Sequence, residues 1–345
     1  MEAAQKRNKA DKPVIGISIG DINGIGPEVI IKALADQRVL DHVTPVVFGS
    51  AKVLSYYRKL LKFDDFHFTQ IKNIDELSPK KVNVINCWNE LVEIKTGQVT
   101  KEAGNCAYLA LREAINYLKE DKIDAIVTAP INKKNIQRPD FNFVGHTDFV
   151  SEELGTKENL MLMVAEELRV GVVTAHVPIG EVSAGLSKET IESKLNILLN
   201  TLKKDFGINK PRVALLGLNP HAGEEGLLGR EEQDIISPLI KDYKDRGHLV
   251  FGPFPADGFF GTMQQKKFDA ILAMYHDQGL IPFKMLAFEH GVNFTAGIPK
   301  VRTSPDHGTA YGIAGKNEAD PLSMREAIYL ASNTVKIRNM NEGND

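Results

Sequence analysis

The sequence predicts an α/β protein: parallel sheet flanked by helices, divided between two domains that interleave. Three observations carry this expectation. Short apolar runs alternate with amphipathic helical patterns, which is how parallel strands and their crossover helices read along a chain. At 345 residues the chain is longer than one hydrophobic core ordinarily organises. No linker, internal repeat or low-complexity tract separates two halves, so the chain is expected to cross between domains more than once.

Taken in order, residues 1–13 read as a polar tail. Residues 14–19 (VIGISI) form a continuous apolar run before a glycine turn, the pattern of a strand buried on both faces. A helix follows near Pro27, since proline suits the first helical position. Val29, Ile30, Ala33 and Leu34 share one face of it. Residues 82–86 (VNVIN) and 124–129 (DAIVTA) read as further strands. Between them residues 102–118 are helical, with Ala103, Ala107, Leu111, Ala114, Ile115 and Leu118 along one side. Residues 169–175 (RVGVVTA), 212–218 (RVALLGL) and 269–274 (DAILAM) repeat the strand pattern. Ile191, Leu195, Leu198, Leu199 and Leu202 mark an amphipathic helix between the first two. The stretch 336–345 reads as a second polar tail.

Composition narrows the function classes. The chain is 43% hydrophobic and 25% charged, the balance of a globular protein in water. Lys plus Arg number 42 against 45 Asp plus Glu, so the basic excess of a nucleic-acid binder is missing, although a local basic pocket for phosphate is not excluded. Cys87 and Cys106 stand far apart without a CxxC, which argues against a disulfide framework or a cysteine-ligated zinc and fits a reducing compartment. The N-terminus is charged and lacks an apolar signal core, and no apolar run reaches the roughly 20 residues of a membrane helix. A cytoplasmic protein with neither nucleic acid nor membrane as partner is expected.

Chemistry gathers at strand ends. His176 (TAHVPIG), His221 (GLNPHAGEEG) and His276 (AMYHDQG) each lie just past the carboxyl end of an expected strand. In open parallel sheets those loops converge on the ligand crevice. Three neutral imidazoles there suit a divalent metal with a coordination position left open; the alternative is that each histidine bonds only its own loop. The turn GDINGIGPE (residues 20–28) leads into a helix N-terminus and reads either as an anion cradle or as an ordinary tight turn. Lys133, His146 and Thr147 could hold a carboxylate or phosphate, or belong to a polar surface loop. Lys284, Asn293 and Arg302 are candidate anchors for an anion, arginine through bidentate pairing. HGTAYGIAGK (307–316) is rich in small residues, which suits close backbone approach to a flat ring.

GDxxGIGPE, TAPINK, GHTDF, HVPI, GLNPHAGEEG, PAD at 255–257, AMYHDQGLIPFK and GVNFTAGIPKVRTSPDHGTA stand in the order in which they occur in the 4-hydroxythreonine-4-phosphate dehydrogenases of vitamin B6 synthesis. On these motifs the chain resembles that family over residues 14–331. HGTAYGIAGKNEADP also resembles the adenosine-binding loop of isopropylmalate and isocitrate dehydrogenases, to whose fold superfamily that family belongs. The resemblance implies two interleaved α/β/α domains of isopropylmalate dehydrogenase-like type with the active site in the interdomain cleft. The first would comprise 14–130 together with 291–335. The second, 131–290, would carry the metal histidines and the dimer contacts.

Residue by residue, the resemblance implies that His176, His221 and His276 bind a divalent metal (zinc, cobalt, manganese or magnesium). It assigns substrate to His146, Thr147, Lys284, Asn293 and Arg302. NAD or NADP falls to the loop containing His307, Gly308, Thr309, Ala310 and Gly315. Asp257 and Asp277 sit in motifs close to the metal, and Lys284 and Asp277 are both candidate general bases. The family works as a homodimer with its active site at the subunit interface, metal ligands coming from both subunits. The implied reaction oxidises the C3 hydroxyl of 4-phosphooxy-L-threonine, and the β-keto acid formed loses CO₂. Alternatives are the same chemistry on phospho-D-threonate or phospho-D-erythronate and, more remotely, a phosphate acyltransferase-like or non-catalytic relative. Two sites depart from the family pattern: Ile22 and Asn23 in the first loop replace a proline and a small residue, and Gly312 stands where an acidic residue is usual.

Overall fold

The structure, a computed structural model, describes residues 12–143 and 145–342. The chain divides into two compact units: the described residues of Met1–Leu154 with Lys300–Asp345, and Gly155–Pro299. In the first, β1 (Val14–Ser18) leads to α1 (Gly26–Leu34) and α2 (Gln37–His42). β2 (Thr44–Gly49), α3 (Ala51–Leu60), β3 (Phe68–Ile71), β4 (Val82–Asn86), α4 (Lys101–Lys119), β5 (Ala125–Thr128) and α5 (His146–Glu153) follow. The second unit begins with β6 (Leu160–Ala165), β7 (Leu168–Thr174), α6 (Val182–Gly185), α7 (Lys188–Lys204) and β8 (Arg212–Leu216). It continues with α8 (Ser237–Asp245), β9 (Leu249–Phe254), α9 (Ala256–Gly261), β10 (Ala270–Tyr275), α10 (His276–Ala287) and β11 (Val292–Ala296). The chain then returns to the first unit with β12 (Val301–Pro305) and α11 (Leu322–Glu342).

The six strands of the first unit lie in the order β3-β4-β2-β1-β5-β12, every pair parallel. β1 is buried at all five residues, as its unbroken apolar run requires of an inner strand. α4 starts where the Thr100 hydroxyl accepts from the Ala103 N–H, and its alanine and leucine face is buried. The second unit lies in the order β11-β6-β7-β10-β8-β9. Here the expectation of a purely parallel sheet is corrected. β6 runs antiparallel to both β7 and β11, while β7, β10, β8 and β9 are parallel. Only Glu166 and Glu167 separate β6 from β7, Glu166 in the left-handed region (φ 52°); so short a link can make a hairpin but not a parallel crossover.

The N-terminal tail expected over 1–13 lies outside the described residues except at Lys12 and Pro13. The stretch from Lys336, expected as a second tail, instead continues α11 as far as Glu342. Met324, Ala327, Ile328, Ala331 and Val335 of α11 are buried. A helix nucleated by that packed face propagates at little cost, helped by Lys336, Arg338, Met340 and Glu342, which have good helical propensity.

The glycine turn after β1 is an interior junction rather than an anion cradle, since Asp21, Asn23 and Glu28 are all fully buried. Asp21 accepts from the Asn23 N–H (2.9 Å), Asn135 Nδ2 (2.7 Å) and the Tyr311 hydroxyl (2.8 Å). The departing Asn23 donates to Gln98 O and Thr100 Oγ1 and accepts from the Lys95 N–H, so a side chain the family usually lacks is fully used. Gly24 is required by contact: a Cβ there would lie 2.8 Å from Thr309 O. Glu28 accepts from Lys32 Nζ (2.9 Å), the Gly315 N–H (3.0 Å) and the Ala319 N–H (3.1 Å). Replacing Glu28 by alanine takes from Lys32 its carboxylate partner, leaving Nζ only Ala319 O, and leaves the Gly315 and Ala319 N–H groups without an acceptor, so Glu28→Ala is expected to cost about 3 kcal/mol. Differential scanning calorimetry would then register a fall of roughly 6–12 °C in Tm; an unchanged Tm would show that the junction is not needed.

Candidate active site

Three histidines occupy the carboxyl ends of three adjacent parallel strands in the second unit. His176 follows β7, His276 opens α10 directly after β10, and His221 follows β8. The structure brings two of them together: the rings of His176 and His276 lie 5.9 Å apart, centroid to centroid, tilted by 41°. Asp277 Oδ1 sits 2.7 Å from His276 Nδ1, which fixes that ring and leaves Nε2 to act as a donor toward a metal. A cavity of about 240 Å³ opens beside the pair, lined by Thr174, His176, Val177, Ile179, Tyr275 and His276. Gln278 locks this edge, accepting from the Met274 N–H (2.7 Å) and donating to Gly217 O (2.5 Å), so the ends of β10 and β8 are tied together.

His221 does not join the pair. It is exposed, with Glu224 Oε2 3.6 Å from its Nδ1. Among the described residues no group of three or more His, Cys, Asp and Glu is assembled for a metal. The two facing imidazoles, one backed by a carboxylate, fit half of a divalent-metal site; the donor chemistry suits the ion, and the third ligand is not assembled with them. Asp257 is exposed in the first turn of α9, after β9. Lys284 stands in the last turn of α10, eight residues after His276 and so about 12 Å along the helix. Asn293 is set apart by register: it pairs Met163, which pairs Val170, four residues before the end of β7. Its Oδ1 is buried without a hydrogen-bond partner.

The first unit gathers a compact cluster of cationic and hydroxyl-bearing side chains. Arg302, on β12, is only 2% exposed. Its Nε and Nη2 donate to Thr128 Oγ1 (3.2 and 2.6 Å), and Nη1 donates to Thr147 Oγ1 (3.2 Å). Burial pushes its pKa down to about 10, which still leaves the guanidinium charged at neutral pH. His146 opens α5, held in place by Phe149, whose ring packs against Phe141 (4.7 Å) and Phe143 (5.3 Å). His146 Nε2 is buried without a partner. Burial first, and then the positive charges of Arg302 and Lys133, hold the imidazole well below its usual pKa and therefore neutral. The structure thus unites His146, Thr147, Lys133 and Arg302. It adds Thr128, whose hydroxyl at the end of β5 the sequence reading gave no role.

The small-residue loop is fastened to the buried junction. Thr309 O accepts from the Ile25 N–H (2.9 Å), and Gly315 donates to Glu28. Gly315 has φ 72°, and a Cβ there would lie 2.8 Å from Thr96 Cγ2, so its local duty is structural. Ala310 is also left-handed (φ 41°). By contrast, space is open beside Gly308 and Gly312, where a Cβ would meet nothing within 4 Å. His307 contacts Gly308 O through Nδ1, while its Nε2 is buried and unpartnered. A firmly backed loop with open glycines and an orphaned imidazole nitrogen fits a flat nucleotide base.

Comparison with known proteins identifies relatives along nearly the whole chain. Residues 41–331 match the family described as pyridoxal phosphate biosynthetic protein PdxA. The 4-hydroxythreonine-4-phosphate dehydrogenase of Bacteroides thetaiotaomicron is 48% identical over 325 residues, 94% of this chain and 89% of that protein. An Oceanobacillus iheyensis relative with the provisional name D-threonate 4-phosphate dehydrogenase is 40% identical, over 93% of this chain and 97% of its own. The crystal structure of 4-hydroxythreonine-4-phosphate dehydrogenase from Klebsiella pneumoniae superposes with a TM-score of 0.81 at 35% identity, covering 95% of this chain and all of that one (100%). With most of its length inside the family match and close relatives along nearly all of it, the chain belongs to the PdxA family of dehydrogenases.

Proposed function

We propose that this enzyme oxidises the C3 hydroxyl of 4-phosphooxy-L-threonine with NAD or NADP. The product, 2-amino-3-oxo-4-phosphooxybutanoate, loses CO₂ to give 3-amino-2-oxopropyl phosphate for pyridoxal phosphate synthesis. The observation that carries this reading is the buried, charged Arg302 held among Thr128, Thr147 and neutral His146. A guanidinium removed from water is a strong anchor for phosphate or carboxylate. His146 can share a hydrogen bond with the same anion without adding charge. Lys284 and Asn293 are assigned to the substrate by resemblance.

Asp277 is bonded to His276, which suits it to holding that ring, and Lys284 is the proposed base. It would take the hydroxyl proton; the nicotinamide, which the loop from His307 to Gly315 would hold, would supply the hydride acceptor for C3. A zinc, cobalt, manganese or magnesium ion held by His176, His276 and His221 would supply Lewis-acid polarisation of the alcohol oxygen, with Asp277 and Asp257 nearby in the same motifs. The name carried by the Oceanobacillus relative makes D-threonate 4-phosphate the second reading. Metal-replete protein is expected to form NADH or NADPH with 4-phosphooxy-L-threonine, in preference to phospho-D-threonate and phospho-D-erythronate, and to lose turnover in EDTA. Arg302→Met should raise KM about 100-fold, the loss of charge-assisted bonds to one anion. Preference for another phosphate would transfer the same chemistry to that substrate.

The neutrality of His146 has a consequence for stability. Below the ordinary histidine pKa of 6.5 the unfolded chain takes up a proton that the folded chain refuses. This penalty is absent above pH 6.5 and grows as pH falls, by about 1.4 kcal/mol per pH unit until the folded-state pKa is reached. Chemical denaturation of wild type and His146→Gln at pH 7.5 and 5.5 tests it: the variant should lose less stability on acidification. Identical pH dependence would mean that the folded imidazole titrates normally.

The active form is proposed to be a homodimer with its active site at the subunit interface. Its support is α10 and its C-cap, where Ile281, Met285 and Phe288 are 57%, 82% and 70% exposed at positions i, i+4 and i+7. Such an apolar stripe on the helix bearing His276 and Lys284 is a surface that association would cover. Sedimentation should give a dimer for wild type and a monomer of low turnover for the double variant Met285→Glu, Phe288→Glu; an active wild-type monomer would refute the arrangement.

A further inference from the structure

From Pro220 to Gly226 the chain makes a short turn whose backbone is left-handed at five consecutive residues. His221 (φ 55°), Ala222 (51°), Gly223 (84°), Glu224 (42°) and Glu225 (54°) all adopt it. Four of the five carry a Cβ, and a run of such residues persists only where its surroundings leave no alternative. Those surroundings centre on Glu232, 3% exposed in a single wide turn over Glu232–Ile236. Its Oε1 accepts from the Asn219 N–H (2.7 Å) and its Oε2 from Asn219 Nδ2 (3.0 Å), so one carboxylate grips both ends of the residue two places before His221. Glu231 Oε2 also accepts from Asn219 Nδ2 (2.8 Å), while its Oε1 takes the Ser183 hydroxyl (2.6 Å). The carboxylate of Glu232 further abuts the glycines on either side of His221. A Cβ on Gly223 would lie 2.6 Å from Oε2, and one on Gly217 would lie 3.0 Å from Oε1.

We infer that Glu232 is a positioning residue: through Asn219 it holds the left-handed turn that aims His221, and so sets the metal affinity of the site. The inference rests on the proposed role of His221 as a metal ligand. Without the carboxylate the entrance to the turn is free to return to right-handed or extended backbone, and the imidazole moves with it. Glutamine at position 232 keeps an acceptor for one Asn219 donor but opposes the other with an amide N–H₂.

Cobalt(II) binding to the metal-free full-length protein tests this, read by chelator competition and by the visible absorption of the bound ion. Circular dichroism and nicotinamide cofactor binding verify the fold. Glu232→Gln is expected to weaken cobalt binding about tenfold, with Glu232→Ala weaker still, and to alter the absorption band. Asn219→Ala, which leaves the carboxylate in place and removes the side-chain grip, should weaken binding in the same direction. A folded Glu232→Gln and a folded Asn219→Ala that bind cobalt like wild type, while His221→Ala does not, would overturn the positioning role and leave the metal reading intact. Equal binding by wild type and His221→Ala would overturn both.

Discussion

A carboxylate removed from water must find its hydrogen-bond donors within the protein, and the first unit is organised around two that do. Leaving either Asp21 or Glu28 unsatisfied would cost several kcal/mol. Their donors come from Asn135 and Tyr311 for Asp21, and from Lys32, Gly315 and Ala319 for Glu28. A nine-residue turn therefore fastens segments almost 300 positions apart. Its glycines stand where neighbouring backbone passes too close for a Cβ: Gly20 against Pro130 O, Gly24 against Thr309 O of the small-residue loop, and Gly26 against Ile19 O. The loop's conformation is thus a consequence of charge burial, and its open side, beside Gly308 and Gly312, is the side left for a ligand.

How far the fold could be read depended on how evenly each element was buried. β1, β4, β5, β8 and β10 announce themselves as apolar runs because parallel strands are covered on both faces. β12 (VRTSP) does not, since a buried arginine, threonine and serine look like a loop until their partners are known. β3 (FTQI) sits at the sheet edge and carries no such run. The hairpin between β6 and β7 was hidden by Glu166 and Glu167, a pair with no turn-forming glycine or asparagine. The end of α11 was hidden by its polarity, because composition separates helix from tail poorly once buried contacts no longer mark one face.

The candidate site divides along a similar line. The histidines were legible because a topological rule places ligands beyond the carboxyl ends of parallel strands, and β7, β10 and β8 are adjacent and parallel. Their mutual geometry was not legible, for it depends on loop backbone: His276 is fixed by the start of a helix, whereas His221 rides on a left-handed turn. Gln278 and Glu232, which bind those loops to the strands, belong to residue types that are usually solvated. Only their buried partners reveal them. Thr128 escaped for the same reason, as a hydroxyl at a strand end gives no signal until an arginine is seen to donate to it.

The net charge of −3 offers no long-range attraction for a phosphorylated acid, and at ordinary ionic strength a diffuse surface field would be screened within about 8 Å. Recognition of an anion therefore has to be local. In the proposed site Arg302 would meet that requirement from a buried position: hydroxyls orient the guanidinium, and burial lowers its pKa without removing its charge. His146 completes the arrangement by staying neutral. A third positive charge beside Arg302 and Lys133 would raise the self-energy of the cluster, and burial together with those two cations prevents it. On the proposed reading, these residues would therefore favour a group that brings its own negative charge to the buried guanidinium.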